Sequence, residues 1–390
     1  MIEDNFVIVE ERGNAGLITL NRPKALNALS LGMVRQINAA LLKWRDQANI
    51  QLVAIRGMGK AADASTAAGV SSSFQPFGSF CAGGDIRFFH QAALAGDPAL
   101  EDFFTEEYSL NHLIHTYPKP YIAFMDGICM GGGMGISGHL AQNSIRIVTE
   151  RTKMAMPETN IGLFPDVGGG YFLSRCANSQ HGVGEYLALT GHMLQGSEAV
   201  HLGLADVQME SSELTRLWDC LGAMPAHERA ALLASITINS VAPRAVSTGG
   251  KATFLSKIGD YFSHPTALTI TRSLEASADT WAQETAATLR KRSPLMLEVT
   301  LQLIRRARTT SLADDLRLER DLVRHCFHTK HLQRSGTSSE TVEGIRALAV
   351  DKDHAPKWNP VRLEDITPEM IEPFFTSPWP SASHPLRHLA

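Results

Sequence analysis

The sequence predicts an α/β fold through residue 210, followed by a helical C-terminal region over 211–390 that packs on it. Three observations point there. Up to residue 210, short apolar or alternating runs of strand length are interspersed with segments of 3.6-residue periodicity. Beyond it, almost every periodic segment is an amphipathic helix. The 31 glycines among 390 residues are an ordinary total, yet they cluster around 83–84, 131–138 and 168–170, between the elements of the first part.

The elements follow in order. Residues 6–20 read as two strands around a Gly13-Asn14 turn. Asn21-Arg22-Pro23 breaks the second strand, and Ser30 caps a helix through Trp44 with Leu31, Val34, Ile37, Leu41 and Leu42 on its apolar stripe. Leu52–Arg56 is a short buried strand. From Met58 to Ser79 the chain is rich in Gly, Ala and Ser and lacks periodicity, which reads as a surface insertion. Pro120–Met125 is a strand that leads through a glycine-rich turn into a helix around 132–141, and Ile145–Thr149 is a strand. Helices are then expected over 211–222, 226–237, 266–290, 294–308 and 312–331, with Pro243 and Gly249-Gly250 as breaks. The tail from Pro356 is rich in proline and extended, with a short helix near 367–374.

Composition narrows the function classes. Charged residues make up 19% and the hydrophobic set 44%, which excludes disorder throughout. The net charge is −4, from 36 Lys and Arg against 40 Asp and Glu, so no nucleic-acid partner is expected. No run of 18 apolar residues occurs, and no membrane partner is expected. The five cysteines, Cys81, Cys129, Cys176, Cys220 and Cys326, show no metal-ligand or CxxC spacing. No metal site is expected, and a reducing interior with free thiols suits the odd, scattered count. The segment MIEDNFVIVEERG reads as neither signal nor transit peptide, and the last four residues are not a peroxisomal address.

The glycine clusters carry the chemistry. Phe80-Cys81-Ala82-Gly83-Gly84-Asp85-Ile86 follows a strand and opens a helix. Asp126-Gly127-Ile128-Cys129-Met130-Gly131-Gly132-Gly133-Met134-Gly135 does the same. Small residues let backbone N–H groups approach a ligand, and two converging amides make an oxyanion hole. The alternative, glycines that merely permit tight packing, stays open at this point. Neither cluster is a phosphate-binding loop, since no Gly-Lys-Ser/Thr follows. The third segment, Met156 to Gly170, holds Glu158 and Asp166 in an apolar loop shaped by proline and glycine. Acids in such a setting have raised pKa values or face a substrate, and two of them can divide nucleophilic and acid/base duties. Capping of a loop or helix is the plainer alternative for each.

Together these segments resemble the crotonase (enoyl-CoA hydratase/isomerase) superfamily. Asn21-Arg22-Pro23-Lys24-Ala25-Leu26-Asn27-Ala28-Leu29, Phe103 to Tyr108, Ala188-Leu189-Thr190-Gly191 and Asp351-Lys352-Asp353 to Trp358 extend the likeness over nearly the whole chain. The resemblance implies a crotonase-like spiral of ββα units. It implies an acyl-CoA substrate, with CoA part of that substrate and no cofactor. It assigns the oxyanion hole to the amides of Ala82 and Gly132, and catalysis to Glu158 with Asp166. Glu107 is implied as a substrate-contacting acid, and Lys24, Ala25, Asp85 and Ile86 as lining the CoA channel. A homo-oligomer is left open.

Position 135 selects among the family's reactions. Hydratases resembling this fold carry a second glutamate there; this chain has Gly135. The hydrolase pattern keeps Glu158 and adds Asp166. The resemblance therefore implies hydrolysis of a short 3-hydroxyacyl-CoA, 3-hydroxyisobutyryl-CoA or also 3-hydroxypropionyl-CoA, as in valine breakdown in the mitochondrial matrix, with peroxisome and cytoplasm as the other compartments. The rivals are enoyl-CoA hydration or isomerisation, and a non-enzymatic role, because hydrolase-like members also resemble subunits of some mitochondrial ribosomes.

Smaller features have plainer readings. His139 reads as a satisfied core or surface group, and Cys81 and Cys129 as packing residues. Arg290-Lys291-Arg292 reads as a solvated helix end in preference to a contact with a CoA phosphate. The segment Glu343 to Asp353 either makes ion pairs or closes a site mouth.

Overall fold

The computed structural model of the chain describes residues 5–60, 75–139, 141, 143–222, 225, 255 and 257–390. Among these the chain forms two compact units that interleave along the sequence. The first gathers residues up to Gly84, then Leu113–Met154 and Met193–Arg244; the second takes Asp85–His112, Ala155–His192 and Ala245–Ala390. These units follow packing and cross residue 210, where the composition changes. Residues 61–74 of the insertion expected over 58–79, and the helix expected over 226–237, lie outside the described residues.

The first unit is built on a six-stranded sheet. Its strands are β1 (Val7–Arg12), β2 (Ala15–Leu20), β3 (Leu52–Gly57), β4 (Tyr121–Met125), β6 (Ser144–Thr149) and β9 (Val207–Met209), in the order β1-β2-β3-β4-β6-β9. β1 and β2 form the antiparallel hairpin; every later pairing is parallel. β2, β3 and β4 are buried almost throughout, as parallel strands covered on both faces must be. On one face Leu17, Ala54, Ile122, Phe124, Ile147 and Val207 pack with Leu214, Leu217 and Trp218 of the helix Leu214–Cys220. On the other lies the helix Leu31–Arg45, whose Ser30 accepts a cap bond from the Met33 amide. Gly16 is glycine because a Cβ there would stand 2.4 Å from the Trp44 indole of that helix.

A second sheet of three short strands, β5 (Ile128–Met130), β7 (Lys153–Ala155) and β8 (Leu194–Gln195), pairs in that order. β5 runs into Gly131-Gly132, and β7 runs into Met156-Pro157-Glu158. The helix expected over 132–141 is only Gly132–Gly135. Glycine is a poor helix former, and Gly138 takes φ +80°, so the turn cannot propagate.

The second unit is mostly helical. The sequence reading assigns no element to 99–115, where the structure has a 17-residue helix, Ala99–His115. Its aromatic residues Phe103, Phe104 and Tyr108 pack with Phe88, Phe89 and Phe327 at centroid distances of 4.8 to 6.5 Å. The helix expected over 266–290 is two, Ala267–Glu275 and Thr280–Leu289, because Asp279 caps the second by accepting from the Ala282 amide. Pro294–Ala307 is buried over most of its length, and Leu312–Phe327 follows a Ser311 cap. The tail contains the short helix Pro368–Ile371 and a 3-10 turn, Glu372–Phe375, near the expected 367–374. No helix among the described residues is long and apolar enough to cross a membrane.

Candidate active site

In the first unit, the segment around Cys81 lies beside β5 as an isolated parallel bridge. Cys81 N–H donates to Ile128 O at 3.0 Å, and Met130 N–H to Cys81 O at 2.9 Å. Both thiols are buried, in keeping with a packing role. The turn at 23–29 fastens the other side. Asn27, fully buried at φ +57°, donates to Met58 O at 3.1 Å and Ser79 O at 2.7 Å, and accepts from the Arg22 amide. Leu29 N–H donates to Gly83 O.

This stitching corrects one assignment. The Ala82 N–H donates to Leu26 O at 3.0 Å, so it is already spent inside the fold. Two residues on, the Gly84 amide has no hydrogen-bond partner among the described residues, nor has that of Gly132. The two lie close: a Cβ built on Gly83 would stand 3.6 Å from Gly132 N. Between them Gly83 stands at φ +98°, outside extended geometry, so the Gly84 amide is not bound to follow that of Ala82 toward the 23–29 turn. Gly133 must be glycine, because a Cβ there would meet Cys81 O at 2.4 Å. The glycine cluster thus allows close packing and leaves two neighbouring amides without a partner among the described residues.

In the second unit three acids come together. Glu107 lies on the helix Ala99–His115, Glu158 opens the 3-10 turn Glu158–Ile161, and Asp166 follows it in the Pro/Gly loop. All three are buried, at 2%, 7% and 5% exposure. Burial pushes Glu107 and Glu158 well above the usual carboxylate range, and the neighbouring acids push further. Asp166 is raised by burial to about 6; the Tyr108 hydroxyl, donating to its Oδ2 at 2.7 Å, holds it down. Glu107 Oε1 and Glu158 Oε2 are buried and without a hydrogen-bond partner among the described residues. Buried acids that repel one another and leave acceptors unfilled are costly to the fold, which marks a site shaped for chemistry.

The remaining assigned residues take other places. Lys24 is exposed and Ala25 half-buried on the 3-10 turn Pro23–Ala25 of the first unit. Asp85 caps the helix Ile86–Ala95 of the second, accepting from the Phe88 amide at 3.3 Å, with Ile86 half-buried after it. Arg290, exposed at the end of the helix Thr280–Leu289, pairs with Glu275 and Glu364; Lys291 is exposed, and half-buried Arg292 donates to Thr190 O. His139 is buried against Arg146, which pairs with Asp206. Arg346 pairs with Glu343, Asp351 and Asp353, the ion-pair reading of that segment.

Sequence reasoning missed Asp315 and Glu319. Both are buried, and their carboxylates accept from the amides of Gly168, Gly170 and Tyr171, just after Asp166. The available signal was their spacing of four with Leu312 and Leu316, which puts two acids on the apolar face of a helix.

A family model described as enoyl-CoA hydratase/isomerase matches residues 15–375. This chain belongs to that family. Curated relatives run along nearly its whole length. The 3-hydroxyisobutyryl-CoA hydrolase, mitochondrial, of Xenopus laevis is 39% identical over 382 residues, covering 96% of this chain and 90% of the relative. The Homo sapiens protein of the same name is 38% identical over 378 residues, covering 95% and 88%. Among solved structures, a carnitinyl-CoA dehydratase from Mycobacterium thermoresistibile aligns with TM-score 0.78 and 33% identity over 97% of this chain and 98% of that one. An enoyl-CoA hydratase from Rhodobacter sphaeroides gives 0.77 and 31% over 96% and 98%. The expected crotonase-type α/β architecture is therefore that of this enoyl-CoA hydratase/isomerase family member.

Proposed function

We propose that the protein hydrolyses 3-hydroxyisobutyryl-CoA to 3-hydroxyisobutyrate and CoA in valine catabolism, with 3-hydroxypropionyl-CoA as a second substrate. The observation that carries this reading is the buried cluster of Glu107, Glu158 and Asp166, in a chain whose 39%-identical relative is named for that hydrolysis over 96% of its length.

The amides of Gly84 and Gly132 receive the thioester oxygen and stabilise the charge it gains in the transition state. Glu158, whose Oε2 has no partner among the described residues, gives its proton to the ionised part of the acid cluster and attacks the acyl carbon as carboxylate. The new C–O bond replaces the C–S bond; CoA leaves as thiolate and takes back from the cluster the proton that Glu158 gave up, and an acyl-glutamyl anhydride remains. Water then adds to the acyl carbon, loses its proton to the cluster, and frees the hydroxy acid with Glu158 restored. Asp166 is the acid of the three that ionises near neutral pH, so it receives a proton or accepts the substrate's 3-hydroxyl. Glu107 contacts the acyl group. No step needs a metal or redox group.

Hydration, which the names of the two solved structures bring forward, asks for a carboxylate at 135. Gly135 is buried there. The proposal also places the enzyme in the mitochondrial matrix, following relatives named mitochondrial; fractionation reads this directly. Its partner is the acyl-CoA, and sedimentation reads whether it forms a homo-oligomer. The test of function is thiol release from 3-hydroxyisobutyryl-CoA, 3-hydroxypropionyl-CoA and crotonyl-CoA. The first should be fastest and the last untouched; hydration of crotonyl-CoA without thiol release would overturn the reading.

A further inference from the structure

The chain around Asp166 takes a conformation that local preference opposes. Val167 follows it at φ +56° and Gly168 at φ +84°. A β-branched residue in the left-handed region is a genuine outlier, and such a conformation persists only where its surroundings enforce it. The surroundings here are two side chains one turn apart on the helix Leu312–Phe327. Glu319 Oε2 accepts from Gly168 N at 2.7 Å and its Oε1 from Gly170 N at 3.0 Å. Asp315 Oδ2 accepts from Tyr171 N at 2.7 Å. Both side chains have 0% exposure. Gly170 lets this approach happen: a Cβ there would meet Asp315 Oδ1 at 2.7 Å. Three backbone donors of one loop are thus held by two acids from a helix about 150 residues later.

We infer that Glu319 is a positioning residue for Asp166. Its two carboxylate oxygens grip the amides two and four residues after Asp166, lock Val167 and Gly168 in the left-handed region, and so aim the Asp166 carboxylate at Glu107, Glu158 and the Tyr108 hydroxyl. Glu319 touches no reacting atom; it acts through the backbone. Tyr108 holds the Asp166 side chain from the other side. Neither clamp alone fixes both the position and the direction of the carboxylate. This inference rests on the proposed catalytic role of Asp166.

A double-mutant cycle tests it. Glu319→Gln keeps size and one acceptor oxygen but turns an NH2 toward an amide donor. With 3-hydroxyisobutyryl-CoA, E319Q should lower kcat about 10- to 100-fold with KM nearly unchanged, the scale of a misplaced catalytic group. In a D166N background the same change should cost less than about threefold, because a residue acting through Asp166 has nothing left to position. The E319Q/V167G double variant relieves the demand for a left-handed valine and should recover part of the loss. Thermal unfolding of each variant accompanies the kinetics. A folded E319Q with wild-type kcat, or an E319Q effect undiminished beside D166N, would overturn the inference. So would failure of both E319Q and E319Q/V167G to fold, which would make Glu319 purely structural. If D166N itself turns over at the wild-type rate, the catalytic reading of Asp166 fails first, and the cycle distinguishes the two.

Discussion

Tyr108 donates its hydroxyl hydrogen to Asp166 Oδ2 at 2.7 Å, with both side chains buried and two further acids, Glu107 and Glu158, interacting with the same carboxylate. That bond, together with a backbone hydrogen bond to the same carboxylate, holds Asp166 below its two neighbours, which repulsion from Asp166 raises further. It stabilises the charged form of Asp166, which keeps this acid near 6 while burial sends the other two well higher.

The pH profile should therefore carry the mark of this pair. In the wild-type enzyme kcat/KM should rise with pH through about 6, as Asp166 ionises. Tyr108→Phe removes the donor without removing volume, so the rise should move to higher pH. At pH 7 the loss should be about 2- to 15-fold, since a hydrogen bond to a charged group is worth about 1.5–3 kcal/mol and each ~1.36 kcal/mol moves the rise by one pH unit. A Y108F profile superimposable on the wild-type one would show that the bond does not set the ionisation.

Asp166 should also cost stability, and the sign is fixed by its direction. Its folded-state value, about 6, lies above the ordinary 3.8, so the folded protein binds the proton more tightly than the unfolded chain. The cost is absent below 3.8 and complete above about 6, where the displacement amounts to about 3 kcal/mol. Asp166→Asn should raise Tm by a few degrees at pH 8 and change it little at pH 4. It should do so while lowering turnover, the usual trade of stability for function. Equal effects at both pH values would contradict the burial account.

Gly133→Ala tests the amide pair. Its Cβ would stand 2.4 Å from Cys81 O, a backbone atom that cannot step aside without breaking the bonds to Ile128 and Met130. Thioester hydrolysis should fall at least about 100-fold, comparable with removal of an oxyanion donor. The far-UV spectrum should persist, because the six-stranded sheet is untouched. Normal turnover in G133A would show that this packing does not position the amides.

Much of this was legible in the residues. The apolar strands and the cap at Ser30 follow from local preference, and Glu158 and Asp166 stand out because acids are rare in Pro/Gly loops with apolar neighbours. The Ala82 amide, expected as a donor to substrate, is bonded to Leu26 O, and the amide without a partner among the described residues is two positions on. Which edge of an extended segment carries free amides depends on its register beside β5 and the 23–29 turn, which no local pattern encodes. Asp315 and Glu319 escaped notice for a related reason. In a helix rich in charge, LADDLRLERDLVRHCF, acids read as solvated, and only the loop they bind, some 150 residues earlier, reveals them as buried. The helix expected over 132–141 stops at Gly135 because a run of glycines propagates a helix poorly and Gly138 takes φ +80°.

The most direct test of the central claim is CoA release from 3-hydroxyisobutyryl-CoA by the wild-type enzyme and by Glu158→Gln, measured at equal folded concentration. The wild type should release CoA and the variant should be slower by more than about 1,000-fold, as for loss of a nucleophile. An E158Q enzyme that hydrolyses the thioester near the wild-type rate would contradict the account.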